Sequence, residues 1–536
     1  MNKKKLSLFA VITLVACLAI SCDTGDSQGK NLTGTRWERD DGSNKIFIEF
    51  ISDTQCLMGI TKNSEDIIGE AYTYSVTSSA IIFDTDDTIS MFAKYDAKTI
   101  RTSDGKAFKK VPCTFKNVAG TRWEAKDGND TLFLDFPTDS KLFMGDSIKG
   151  NDIVDQQQTY FVSSKSIYLP NVEDDDNNTM SYDGNKIIFN STTYTKVPRT
   201  IKSVTGTRWE GVNGDDTIFI EFTSDTECIS GAVDDDIDEI QNTTNYYLGS
   251  KSIFTEDGDA FNSVTDKSMI CYDVPFTMQP CSFSDFNGTR WEVEDEDAGM
   301  VFFLEFISDS KIFEGAVVNR QDKIYSCSSY VTGSKAVSFL VNDNIYSASY
   351  TKNDITINNY NLKKVALSEV KVDLAGTRWE AIDESGKKQF ITFIDEKDCT
   401  SGTVDSDGNE HARIVEYACG SKSLYIDGKT FQFYGSTMKD ENGLDFQKVS
   451  SNKIQNLSGT RWESKEDDGT IQFEEFTPDS KCYFGTVYNG VEKFNKVYAY
   501  TLADDTVYFE GMDSVQKIDF ANNTATLNDI IFTKVN

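Results

Sequence analysis

Glu38 and Glu49 both follow Trp37 in the chain, two carboxylates beside an aromatic platform, the residue types of a glycosidase. The residues equivalent to Glu49 in later copies of the same segment are Asp135, Glu221, Glu305, Thr392 and Glu475, so a pair built this way fails at Thr392. Arg36 and Glu38 alternate around Trp37 and read as a solvent-exposed cross-strand pair, which needs no catalysis. His411 is the only histidine; it cannot serve repeated acid–base sites or build the usual zinc site. No Gly-x-Ser-x-Gly, Cys-x-x-Cys or phosphate-cradling glycine loop occurs. Acidic turns such as Asp40-Asp41-Gly42, Asp127-Gly128-Asn129-Asp130 and Asp467-Asp468-Gly469 offer oxygen ligands to Ca²⁺. They lack the spacing of an EF-hand loop, and hairpin geometry accounts for them equally well. The expectation is a protein with no catalytic residue, metal ligand or cofactor.

The scaffold that carries these residues is reiterated. Gly-Thr-Arg-Trp-Glu begins at Gly34, Gly120, Gly206, Gly288, Gly376 and Gly459, with spacings of 86, 86, 82, 88 and 83 residues. These copies contain all six tryptophans. Such a period signals one small fold built in tandem. The expected organisation is a signal peptide over 1–22, a tether over 23–30, and repeats over 31–113, 114–199, 200–281, 282–367, 368–451 and 452–536.

Within the first repeat, short apolar or alternating runs are separated by turn residues: Ile46 to Phe50, Cys56 to Gly59, Ala71 to Val76, Ala80 to Phe83 and Ala107 to Val111. A looser polar loop is expected from Gly59 to about Glu70. No segment sustains a 3.6-residue period, so the fold class is all-β: six antiparallel meanders or barrels of about eight short strands each. Phe47 and Phe50 lie three apart in one strand, as do their counterparts in every repeat, and therefore point to opposite faces. One fills the repeat's own core; the other faces an adjacent repeat or a bulge. Gly59 and its counterparts mark a bend or a close backbone approach. Short connectors such as Pro112 to Asn117 imply touching neighbours, giving a semi-rigid rod or arc of up to about 150 Å from compact-domain dimensions. A six-bladed propeller fits poorly, because a blade needs about 40–50 residues.

Gly-Thr-Arg-Trp at the start of a small meander resembles the first-strand motif of lipocalin-like domains, and tandem lipocalin-like repeats of bacterial lipoproteins more closely still. The resemblance covers residues 31 to 536 at the level of fold. It implies that Trp37, Trp123, Trp209, Trp291, Trp379 and Trp462 plug the barrel floors, with ligand contact as their alternative role. It also implies a basic partner on the last strand: Lys110, Lys196, Lys364, Lys448 and Lys534, with Met278 in the third repeat.

Lys3, Lys4 and Lys5 followed by an apolar run from Leu6 to Ile20 form an export signal too short to span a bilayer comfortably. Cys22 after Ala19-Ile20-Ser21 resembles a lipobox cysteine, with Cys17 as the alternative attachment point. The chain carries 53 basic and 86 acidic residues, a net charge of −33. Such a field repels nucleic acid and anionic lipid surfaces, which are excluded as partners. Cysteines are expected to be mostly free, because Cys56, Cys228, Cys399 and Cys482 exchange with Leu142 and Ile312 at one position. Cys399 with Cys419 is the one pair worth checking. The sequence therefore points to a monomeric, non-enzymatic bacterial envelope lipoprotein, at the outer membrane or cell surface. Its repeats would present a multivalent surface to a host, glycan or protein partner. A passive spacer and a carrier of small apolar ligands are the alternatives.

Overall fold

A computed structural model describes residues 32–535, apart from 78–79, 86–87, 97, 103–104, 173–177, 235–236, 296–298, 342–343, 358–359, 368–373, 407, 409, 435–436, 450–455, 489–490, 504, 511 and 513–514. The signal peptide, the tether, Cys17 and Cys22 lie outside the described residues. Among those residues every regular element is a strand.

In the first repeat the strands are β1 (Thr35–Asp41), β2 (Asn44–Phe50), β3 (Gln55–Lys62), β4 (Glu65–Val76), β5 (Ala80–Thr85), β6 (Thr88–Asp96), β7 (Thr99–Thr102) and β8 (Ala107–Val111). The same eight names serve for the equivalent strands of the other repeats. Each strand pairs with the next, and β1 returns to β8 with Trp37 opposite Lys110, closing an up-and-down barrel. Repeats 4, 5 and 6 close in the same way. In repeat 2 the fourth strand is broken at Tyr160 into Asn151–Thr159 and Phe161–Val162. In repeat 3 the sheet ends at Ala260–Phe261 and Ser268–Cys271, joined by an isolated bridge between Asn262 and Ile270.

The polar stretch after Gly59 is strand, not loop. Asn63 and Ser64 both take positive φ, 51° and 71°, as a two-residue hairpin turn requires. The strand that follows is polar because Asp66 and Ile68 are buried while Glu65 and Ile67 face solvent. A bulge in the β3–β4 pair sits between Met58 and Gly59. A Cβ on Gly59 would lie 2.3 Å from the Ile67 carbonyl oxygen and 2.8 Å from the Phe47 ring, so only glycine fits.

Each barrel has its own core. In the first it comprises Trp37, Phe50, Cys56, Tyr74, Ile81, Ile100 and Phe108, among others. Trp37 is 0 % exposed, and its indole N–H donates to Thr35 Oγ1 at 2.9 Å, so the ring needs no outside partner. Tyr74 packs edge-on to Phe50 at 4.7 Å and donates its hydroxyl to the Ser52 carbonyl at 2.8 Å. Cys56, Cys228, Cys399 and Cys482 are free thiols and fully buried, as their exchange with Leu142 and Ile312 implies; Cys399 and Cys419 are not joined by a disulfide.

Phe47 leaves this core for the outer face of β2, where it joins Leu57, Ile68 and Tyr168 of the second repeat. The second repeat offers the equivalent face, Phe133 and Phe143, to Phe254 of the third. Phe219, Ile229 and Ile240 of the third receive Ala336 of the fourth, and Phe303, Phe313 and Ile324 receive Tyr425 of the fifth. Lys517 of the sixth repeat reaches Glu410 of the fifth at 3.2 Å. Finally Phe473, Tyr483 and Phe494 of the sixth pack on Ala80 and Ile82 of the first, and Ser75 donates to Asp479 at 2.8 Å across 404 residues.

That last contact overturns the expectation of a rod. The same head-to-tail interface is used at every step, and the sixth step returns to the first barrel. A heterologous interface that closes makes a ring. The connectors fix only which barrels are neighbours; the angle between them comes from side-chain packing that a repeat spacing does not encode.

Candidate functional site

The residues considered as a catalytic pair meet at the seat between barrels. Arg36 on β1 is 2 % exposed, which corrects its reading as a surface ion pair. Its Nε donates to Glu38 at 2.7 Å, and Nη1 donates to Glu49 at 2.8 Å and Asp66 at 2.6 Å. Nη2 donates to Thr61 at 2.9 Å, and the guanidinium lies 4.1 Å over the Phe47 ring. Alternation along β1 does put Arg36 and Glu38 on the face opposite Trp37. That outer face is covered by the next barrel rather than by water.

The cover is the β4–β5 turn of the following repeat. Ser164 donates its backbone N–H to Glu49 at 3.0 Å and its hydroxyl to the other oxygen of the same carboxylate. Lys165 stands 3.8 Å from Asp66. At the next seat Ser250 N–H donates to Asp135 at 2.9 Å, Ser252 Oγ to Asp152 at 2.6 Å and Lys251 to Glu124 at 2.7 Å. Ser334 N–H donates to Glu221 at 2.7 Å, and Ser421 N–H to Glu305. The turn must approach closely. A Cβ at Gly333 would come 2.7 Å from Glu221, and one at Gly420 would come 2.9 Å from Glu305. At Gly333 and Gly420 the neighbour's carboxylate is the closest atom, whereas at Gly249 the closest are the Phe254 ring and the Ser252 carbonyl of its own repeat, and the second repeat carries Ser163 at this position.

Buried charges persist only when paired and hydrogen-bonded. Burial pulls the Arg36 pKa down, and Asp66 and Glu49 more than reverse it, leaving the guanidinium firmly charged. Asp135 is shorter than the glutamates at its position and reaches Arg122 at only 3.4 Å. Burial therefore pushes its carboxyl up to about 6 against the pull of Arg122. The fifth seat departs from the pattern: Thr392 accepts from Arg378 at 3.3 Å, and Glu410 takes the remaining charge at 2.7 Å.

This arrangement joins barrels and offers no reacting group a free approach. The six tryptophans are all buried in barrel cores. Lys110, Lys196, Lys364 and Lys534 lie 5.5 to 6.0 Å over their rings, while Met278 faces Trp209 and Lys448 stands opposite Trp379. Burial pushes the Cys228 and Cys399 thiols up to about 12, which suppresses thiolate chemistry. His411 is exposed beside Asp405 at 3.1 Å. Among the described residues no cluster of three or more His, Cys, Asp or Glu side chains is placed to hold a metal ion. The member of the seat that the motif did not reveal is the β4 acid. Asp66, Asp152, Asp238, Asp322, Glu410 and Glu492 follow their arginines by 30 to 32 residues in all six repeats, and that recurrence was the available signal.

No family model matches the chain, and no curated protein matches it in sequence. Among solved structures, a DNA polymerase III beta sliding clamp from Pseudomonas aeruginosa is 6 % identical, covering 47 % of this chain and 91 % of its own, with a TM-score of 0.10. The DNA polymerase III beta chain of Streptococcus pneumoniae is 9 % identical over 46 % and 91 %, with a TM-score of 0.11. An AofleA mutant from Arthrobotrys oligospora is 10 % identical over 56 % and 88 %, with a TM-score of 0.08. Superpositions this poor carry no argument about function.

Proposed function

We propose that this chain is an exported, lipid-anchored, non-enzymatic protein of the bacterial envelope that holds repetitive partners through six equivalent outer surfaces on one ring. The observation that supports this reading most is closure. An operation repeated six times that returns to its start is a rotation without net translation, so equivalent residues share one level around the ring. The exposed β1–β2 turns, among them Asp40-Asp41-Gly42, Asp127-Gly128 and Asn213-Gly214-Asp215, then crown a single rim. Weak contacts at fixed spacing add through effective concentration when a glycan or protein partner is itself periodic. The arginines and tryptophans of the repeated motif are consumed in seats and cores, which leaves partner contact to these outer turns. Cys22 carries the lipid. A passive projecting spacer is disfavoured, because a closed ring gives up the reach of an extended array.

The intact protein should bind surface glycan or matrix-protein arrays at least about tenfold better than the single barrel 200–281, shown folded by circular dichroism. Equal binding by both forms, or none by either, removes the proposal.

A further inference from the structure

The fourth barrel differs from the other five at its open end. On β8, the core position is Phe108, Tyr194, Phe276, Phe446 or Phe532 elsewhere, and Leu362 in the fourth repeat. On β3, the residue before the bulge glycine is Met58, Met144 or Phe484 in the first, second and sixth repeats, where each packs into the core. It is Ser230 and Ser401 in the third and fifth, which keep their β8 phenylalanines, and Glu314 in the fourth. Only the fourth repeat loses both large fillers. The missing volume is present as a cavity of about 200 Å³, lined by Val293, Phe302, Phe339, Tyr360, Leu362 and Glu314 among others.

The lining has a definite chemistry. Phe302 and Tyr360 stand 6.1 Å apart with their planes tilted by 57°. Glu314 is half-buried and accepts the Ser326 hydroxyl at 3.3 Å. Among the described residues no lysine or arginine forms an ion pair with Glu314, in contrast to the acids of the seats. A carboxylate at the wall of an aromatic cavity favours an arriving cation, and ring faces add to that attraction once water is displaced.

We propose that the open end of the fourth barrel binds one small organic ammonium ion. Its apolar body fills the cavity left by Leu362, and its charged nitrogen sits between the Glu314 carboxylate and the aromatic rings. Among the described residues the site occurs once; it opens beside the fourth barrel's β1–β2 turn, where the Tyr360 hydroxyl lies 3.5 Å from Asp295, but it needs no periodic partner, so it goes beyond the proposed adhesive role and fails or stands independently of it.

Calorimetric titration of the full chain with tyramine, and with 4-ethylphenol as the same body without the ammonium, tests this. The expected result is one saturable tyramine per chain and at least about tenfold weaker 4-ethylphenol. Glu314→Met and Leu362→Phe install residues that other repeats already carry, and Glu314→Gln keeps the shape without the charge. Each variant should keep its melting temperature within a few degrees and lose tyramine at least tenfold. The proposal is overturned by the absence of saturable tyramine binding at millimolar concentration, by six equivalents per chain, by equal affinity for 4-ethylphenol, or by folded variants that bind as the parent does.

Discussion

The seam between barrels 1 and 2 and the seam between barrels 6 and 1 occupy the same positions, yet one is tethered by a short connector and the other by nothing. At the tethered seam Leu57 and Phe47 receive the large Tyr168. At the closing seam the sizes are exchanged: Tyr483, with Phe473 and Phe494, receives the smaller Ile82 and Ala80. Complementary exchange of large and small residues preserves packing volume, which is what cores tolerate. The closing seam is therefore a fitted interface, although only side chains hold it shut. The fifth seat makes the same point with charge. Where the acid becomes Thr392, the sixth repeat reads Asp504-Asp505 in sequence where the second to fifth read Ser-Lys, and Lys517 supplies the cation to Glu410 instead.

The largest effect should come from breaking the untethered seam. Ile82→Asp buries a carboxylate against three aromatic rings and should open the ring, raising the radius of gyration from ~30 Å toward ~45 Å by compact-domain dimensions. Tyr168→Asp, at the tethered seam, should disturb local packing with a much smaller change in size, because the connector and the other five seams hold the circle. Equal expansion in the two variants would erase the distinction.

Arg208→Ala leaves Glu221 and Asp238 buried without their cation. It should cost about 3–5 kcal/mol at the third seat, read as an early transition in urea unfolding. A loss below about 1 kcal/mol would return Arg208 to the class of surface ion pairs.

Barrel 6, which supplies the closing face, carries an acid where the others hold Ile48, Leu134, Ile220, Leu304 and Ile391. Glu474 is fully buried opposite Trp462 and accepts from Gln516; burial pushes its carboxyl up to about 8, with Gln516 opposing. A raised folded-state value means the stability is present at low pH and is lost as pH climbs from the ordinary carboxylate range through about 8. Glu474→Leu should therefore stabilise barrel 6 by on the order of a few kcal/mol more at pH 8 than at pH 4. A pH-independent difference in melting would contradict this.

The smallest effect concerns the fifth seat. Thr392→Glu should cost about 1–2 kcal/mol through like-charge repulsion, and restoring the turn with Asp504→Ser and Asp505→Lys should recover most of it. A simple sum of the separate effects would show that the two positions do not speak to each other.

Much of the barrel was legible in the sequence because it depends on local signals. Strand alternation, the turn at Asp40-Asp41-Gly42, and the opposite faces of Phe47 and Phe50 follow from a period of two. The interchange of Cys56 with Leu142 revealed a buried thiol. The hairpin at Asn63-Ser64 was missed because Asp66 looks like loop chemistry until its partner, Arg36, is in view. The seat was half legible: Arg36, Glu38 and Glu49 stood out, but their burial depends on a neighbouring barrel. Ring closure was not legible at all, since it requires residues 404 positions apart to meet at a particular angle. The fourth barrel's cavity needed Glu314 and Leu362 to be seen on one wall.

Small-angle X-ray scattering of the protein from residue 23 onward tests closure most directly. A ring of six barrels predicts a maximum dimension of about 80–90 Å and a radius of gyration near ~30 Å, both unchanged on dilution. A maximum dimension of about 150 Å or more would mean that the sixth barrel does not rest on the first.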